Sequence, residues 1–237
     1  MMTAYVDKTV LVTGATRGVG RQITDHVLAG GGRVLGFARH ASDIDNANYT
    51  HFQVDLANAN AVTAIFGEVR KKTSRIDIVI NNAGVLTSQY AMIMPPAAAQ
   101  AMVNVNLLAP FLISREAAKF MRKSKWGRII NIGSMAASLE PIGDSVYAAT
   151  KAGLSTLANV MAKEFGTFNV TCNTLGISAI DSDMLAQLPR DKIEEIIKSL
   201  PVARFADIDD ILNVIDFFAS ERSSYITAQT VFLGGVN

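Results

Sequence analysis

A doubly wound α/β fold, with a parallel sheet of about seven strands and helices on both faces, is what the sequence predicts. Short apolar runs alternate with longer amphipathic ones from end to end, the pattern of buried parallel strands joined by covering helices. A glycine-rich turn follows the first apolar run and opens into a helical pattern. No repeat, low-complexity linker or shift in composition divides the chain, so residues 1–237 read as one domain.

The elements follow in order. The β-branched run 9–13 is the first strand, and the stretch 18–28, which starts inside the glycine turn, is the first helix. Strands at 33–38 and 51–54 precede a helix at 60–72. A strand at 77–81 leads to the longest helical stretch, 97–122, and a strand at 128–132 to another, 146–168. A strand at 170–174 is followed by the least regular region, which ends near Pro201. Because open α/β sheets bind ligands beyond the carboxyl ends of their strands, residues 177–201 are expected to form a substrate loop or lid. A helix at 208–220 and a strand at 230–233 close the domain, with right-handed crossovers throughout.

Composition narrows the function. A net charge of +1 and a sequence pI near 7.8 leave no basic excess for nucleic acid. One cysteine, Cys172, in an apolar run, excludes an intrachain disulfide and suits a reducing compartment. The three histidines lack metal-ligand spacing, so no metal is expected. No basic segment precedes an apolar stretch at the N-terminus, and no apolar run reads as a bilayer span, so a cytoplasmic protein is expected.

Two local patterns carry chemistry. In the turn Thr13-Gly14-Ala15-Thr16-Arg17-Gly18-Val19-Gly20, glycines let the backbone approach a pyrophosphate, while the helix N-terminus offers unpaired N–H groups. That is the dinucleotide turn of a Rossmann fold, although the G-x-G-x-x-G spacing is absent. The second pattern is Tyr147 and Lys151, which a helix places on one face, so that an ammonium lies near a phenol and favours its ionisation.

The turn is similar to the T-G-x-x-x-G-x-G of the short-chain dehydrogenases/reductases, and Asn81-Asn82-Ala83-Gly84 matches their N-N-A-G. Asn106, Ser134, Tyr147 and Lys151 then arrive in the order and spacing of that family, and within it the chain looks most like the 3-oxoacyl-carrier-protein reductases. The resemblance covers nearly the whole chain. It implies a bound nicotinamide cofactor at Gly14, Thr16, Arg17, Gly18, Val19 and Gly20, with Asp55 and Leu56 at the adenine. Asn82, Ala83 and Gly84 would line the adenosine side, Gly176 and Ile177 would bracket the nicotinamide, and Lys151 would bond its ribose. Tyr147 would donate a proton with its pKa lowered by Lys151, Ser134 would hold the substrate oxygen, and Asn106 would hold a relay water.

Arg39 stands at the end of the second strand, where an NAD-preferring protein would place an acid, and with Arg17 it can pair with a 2′-phosphate. NADP(H) is therefore expected. The resulting expectation is NADPH-dependent reduction of a ketone, either a 3-oxoacyl thioester or a related biosynthetic keto intermediate. The alternatives are an alcohol or sugar dehydrogenase working oxidatively, or a non-catalytic NADP-binding regulator.

The resemblance also implies a homotetramer, or a homodimer, built on the long helices after strands four and five. An acyl carrier protein would need a basic patch, for which Lys123, Lys125 and Arg128 are candidates, whereas Phe168 stands where the carrier-protein reductases have arginine. Leu175 replaces the family's proline before Gly176, so a looser turn is expected there, and Ala228 replaces a glycine.

Overall fold

A computed structural model describes residues 5–182, 184–187 and 190–236. The strands are β1 (Thr9–Thr13), β2 (Arg33–Ala38), β3 (Tyr49–Gln53), β4 (Ile78–Asn81), β5 (Gly127–Ser134), β6 (Val170–Ile177) and β7 (Thr230–Phe232). They form a seven-stranded sheet in the order β3-β2-β1-β4-β5-β6-β7, and every pairing is parallel. The helices are α1 (Gly18–Ala29), α2 (Ala59–Lys72), α3 (Pro96–Val103), α4 (Ala109–Ser124), α5 (Ala136–Leu139), α6 (Ser145–Phe165), α7 (Arg190–Ser199) and α8 (Ile208–Ala219). The chain is a single-domain Rossmann-like fold, as expected.

Alternation along each strand sends side chains to opposite faces. Leu11, Leu35, Val79 and Ile129 join residues of α2, α4 and α6 in one core. Val10, Val34, Ile78 and Ile130 join α1 and α8 in the other. The strand order reverses between β1 and β4, and the crevice at that switch point is where such sheets take ligands.

Several boundaries differ from expectation for identifiable reasons. β3 starts at Tyr49 because the Tyr49 ring covers Gly36 of β2, where any Cβ would overlap it. β5 and β6 run on to Ser134 and Ile177 because Gly133 pairs with Gly176 and lets the ladder continue. The looser turn expected at Leu175-Gly176 is therefore absent: Leu175 is inside the sheet, paired with Ile132 and Val231. Ala228 adopts φ +58°, the left-handed region that the family's glycine would occupy at lower cost.

The long helix expected over 97–122 is broken. A π turn spans Asn104–Leu108 between α3 and α4, and the Ala109 N–H reaches back to the Asn104 carbonyl. The whole stretch Pro96–Ser124 is 29 residues long with mean hydropathy 1.4 in its most apolar window, enough by length and composition to cross a membrane, contrary to the expectation that no such run exists. It carries the buried polar residues Asn106, Ser114 and Glu116 and packs on the sheet, so it is a core helix of this domain.

The region 177–201 is less irregular than expected. Ile193, Ile197 and Leu200 are buried, and the first two pack with Ala179, Met135 and Phe205, so α7 folds down over the carboxyl ends of β5 and β6. Asp183, Leu188 and Pro189 of the expected loop lie outside the described residues.

Candidate active site

The turn after β1 is held from behind. The Thr13 hydroxyl accepts the N–H groups of Asn82 (3.0 Å) and Ala83 (2.9 Å), and the Asn82 amide donates to the Thr13 carbonyl (2.9 Å). Any Cβ on Gly20 would overlap the Gly14 carbonyl and the Asn82 amide, so glycine there is what allows the turn to close. Gly18, by contrast, has φ +54° and open space where its Cβ would be. The N-terminus of α1 beside it has no side-chain cap and no acid in its first turn. Free N–H groups, a positive helix end and room for close approach fit a pyrophosphate. Thr16 and Val19 are half-buried in the same turn.

On the adenosine side, Arg17 and Arg39 are both exposed, and among the described residues neither has an ion-pair partner. Neighbouring Arg21 differs: Asp25 and Asp43 occupy its guanidinium. Asp55 is exposed and accepts only the Ala57 N–H (3.0 Å), while Asn58 caps α2. Leu56 points into the core, so only its backbone faces the crevice. Asn82 likewise spends its side chain on the turn, leaving Ala83 and Gly84 as the open surface. Gly176 is required by Phe232, whose ring a Cβ would overlap, so its neighbour Ile177 is the one that reaches the cavity described below.

At the other end of the crevice four side chains converge from three elements. Ser134 ends β5 on the same cavity wall as Tyr147, and its hydroxyl accepts the Ala136 N–H (3.2 Å). Tyr147 and Lys151 lie on α6, 8% and 4% exposed. The Lys151 ammonium donates to the Ile132 carbonyl (2.7 Å) and stands 5.9 Å from the centre of the Tyr147 ring. Asn106, from the π turn, is fully buried; its amide accepts the Val85 N–H (2.8 Å) and donates to the Val85 carbonyl (2.9 Å). A Cβ added to Gly84 would stand 3.5 Å from both Asn106 Oδ1 and Lys151 Nζ, so that glycine leaves the gap between them open.

The electrostatics correct one expectation. Burial pushes the Tyr147 phenol above its usual range, the nearby Ser134 hydroxyl opposes this, and Asp144 adds to it. Lys151 does not pull it down. Its ammonium stands 5.9 Å from the ring centre, and burial lowers Lys151 itself to about 8, so it keeps most of its charge at neutrality and loses it in mild alkali.

Tyr147 and Ser134 share the wall of a cavity of about 360 Å³, closed by Leu86, Ile142, Ile177 and Met184 and roofed by Ile193 and Ile196 of α7. A lid was expected over 177–201, but its helical form, Asp144 and Ser178 were not singled out from sequence. The signal for the roof was present in the spacing of Ile193, Ile196, Ile197 and Leu200, an amphipathic helical stripe. The three candidates for a carrier-protein patch do not gather beside the cavity. Arg128 is buried against Trp126 and bonds the Ser220 carbonyl, while Lys123 and Lys125 precede β5. Ser134 ends that eight-residue strand, roughly 25 Å away.

The sequence matches the family described as short chain dehydrogenase over residues 8–193. It is 30% identical to the 3-oxoacyl-[acyl-carrier-protein] reductase FabG of Salmonella typhimurium, with 98% of each chain covered. The protein of that description from Escherichia coli K12 is 31% identical, over 98% of this chain and 97% of that one. The counterpart from Pseudomonas aeruginosa is 32% identical over 96% of each. Among solved structures, the aldohexose dehydrogenase of Thermoplasma acidophilum superposes with a TM-score of 0.88 at 25% identity, covering 98% of this chain and 94% of that one. A putative gluconate dehydrogenase from Agrobacterium tumefaciens also gives 0.88, at 24% identity, over 99% and 98%.

Proposed function

The chain belongs to the short-chain dehydrogenase family, and on that premise we propose that it is an NADP(H)-dependent reductase of a ketone to a secondary alcohol. The observation that carries the reading is the meeting of Ser134 and Tyr147 on the cavity wall, with Lys151 and Asn106 behind them. A nicotinamide cofactor, held by the turn from Gly14 to Gly20, Asp55, Ala83, Gly84 and Ile177, supplies a hydride when bound. The rest falls to the chain. Ser134 orients the carbonyl oxygen, and Tyr147, which burial keeps protonated at neutral pH, donates its proton to that oxygen as charge develops. Lys151 and the π turn carry the replacement proton. A relay water would sit in the gap that Gly84 leaves between Asn106 and Lys151.

The cofactor choice rests on Arg39 and Arg17, two free guanidinium groups at the ribose end. Arg39→Asp replaces a charge-assisted bond to a 2′-phosphate with repulsion. The ratio of kcat/KM for NADPH over NADH should fall roughly 10- to 1,000-fold. An unchanged ratio overturns the phosphate pocket.

The substrate is a small ketone, in the range of the 3-oxoacyl thioesters named for the FabG relatives or a similar keto intermediate. A free thioester fits this surface better than a carrier-bound one, because the basic residues stand at the wrong end of the sheet. Burial pushes the Cys172 thiol up to about 12, so it packs as a small apolar side chain rather than serving as a reactive thiol. Phe111 of α4 and Val160 of α6 leave apolar surface on the outer faces of the long helices, which supports a homotetramer. Light scattering should then give four times the 25.4 kDa chain mass, and a mass near one chain overturns assembly.

A further inference from the structure

A second hollow adjoins the reaction cavity, and the proton path does not use it. It measures about 530 Å³ and lies against the first turns of α6, where Ala148, Ala149 and Ala152 form its floor. Tyr90 and Ala91, from the segment after β4, add a wall, and Glu140 is the only charged side chain among its described lining residues. Tyr90, Pro141, Ile142 and Gly143 line both hollows, so they form the saddle between them. That saddle is fixed in place. The Gln89 N–H donates to the Gly143 carbonyl (2.8 Å), and a Cβ on Gly143, whose φ is +95°, would stand 3.2 Å from the Ser88 hydroxyl oxygen, so glycine there lets the two loops meet.

The saddle and its surroundings expose much apolar surface. Ile142 is 85% exposed and Tyr90 63%, while Met92 and Ile93, next to Tyr90 in the chain, are 99% and 64% exposed. A cluster of large apolar side chains in water marks a place where something binds. Position narrows what that is. Ala148 directly follows Tyr147 on α6, and Ala152 lies roughly 7.5 Å along the helix axis from Tyr147, so the groove starts beside the proton donor and leads away from it. A nicotinamide beside Ile177 would take part of the 360 Å³ of the reaction cavity. A larger ketone has to leave that cavity, and the saddle is an exit that keeps its carbon against apolar side chains.

We propose that the groove holds an apolar extension of the substrate: the ketone reacts at Tyr147 while its uncharged hydrocarbon arm crosses Ile142 and lies on Ala148, Ala149 and Ala152. This rests on the reductase reading above and gives its substrate class as ketones with a long apolar arm. The small side chains of the floor make the room, and each methylene laid on them is withdrawn from water. An arm so far from the carbonyl is bound equally before and during the reaction, so its effect falls on KM rather than kcat.

The test measures kcat and KM with NADPH for butan-2-one, hexan-2-one, octan-2-one and decan-2-one. In the wild-type protein kcat/KM should rise along the series by roughly twofold or more per added methylene, through a falling KM. Ala152→Phe fills the groove from an exposed helix position and should lower the decan-2-one to butan-2-one ratio roughly tenfold or more. Ala149→Phe, also exposed on the groove floor, should do the same and is read in its place if Ala152→Phe does not fold. A flat series in the wild type overturns the proposal, as does a ratio that both variants leave unchanged. Equal loss of all four ketones in the variants, with a lower mass by light scattering, would mean that a second copy of the chain covers the groove, and it overturns the proposal too. If butan-2-one is reduced and the activity vanishes in Tyr147→Phe, a flat series removes only the groove and the reductase reading stands. If none of the four ketones is reduced, or if Tyr147→Phe stays active, both fall.

Discussion

Tyr147→Phe is expected to lower kcat for ketone reduction by roughly 100- to 10,000-fold, the usual worth of a positioned general acid. The affinity for NADPH should hardly change. The substitution removes one oxygen from a ring already packed with Met102 and Ala136, so the fold loses no apolar contact. Ser134 keeps the Ala136 N–H, and the phosphate turn belongs to a different part of the crevice, braced by Thr13 and Asn82. Steady-state kinetics alongside cofactor binding by fluorescence separate the two effects. Full activity in the variant would sink the proton-donor assignment, and equal loss of cofactor binding would make Tyr147 a structural residue. Because burial and Asp144 hold the phenol above its usual pKa, the wild-type rate should not fall through loss of the Tyr147 proton until the solution is distinctly alkaline.

What could be read from the sequence was whatever lies close together along the chain. The glycine turn and the Tyr147/Lys151 pair are spaced by the geometry of one turn and one helix, so their residues are placed correctly without knowledge of the fold. The sheet was legible for the same reason, since each strand is a short apolar run. What was hidden depends on contacts between distant segments. Gly176 looks like a ligand-facing glycine until Phe232 is seen lying on it from the next strand. Arg128 looks like a surface cation until Trp126 and the Ser220 carbonyl enclose it. The π turn that buries Asn106 has no composition of its own, and it follows from fitting a helix against Val85 and Thr150. The Lys151 side chain was expected to tune the phenol. Spacing alone fixes which face a residue shares but not how far burial strips its charge of solvent.

Lys151→Met should have two opposite consequences. Turnover is expected to drop by roughly 100-fold or more, because the ammonium that feeds the proton path is gone. Stability should show the reverse tendency, and the pH dependence reveals it. Burial lowers Lys151 from 10.5 to about 8, with no counter-charge to offset the desolvation. Between those two values the unfolded chain binds a proton that the folded chain does not, so the wild-type free energy of unfolding rises with pH across that window. The rise amounts to roughly 3 kcal/mol from pH 8 to 10.5, at 1.36 kcal/mol per pKa unit. Below pH 8 the wild-type protein bears this cost in full, and only the bond from Lys151 to the Ile132 carbonyl works against it. Other groups that titrate in alkali, such as Tyr5, contribute equally to both proteins, so the difference between wild type and Lys151→Met isolates the lysine. Urea unfolding of each at several pH values from 7 to 10.5 should show the wild type gaining on the variant as the pH rises. Parallel curves would mean that Lys151 is solvated, and its place behind Tyr147 as a buried ammonium that gives up its proton in mild alkali would have to be abandoned.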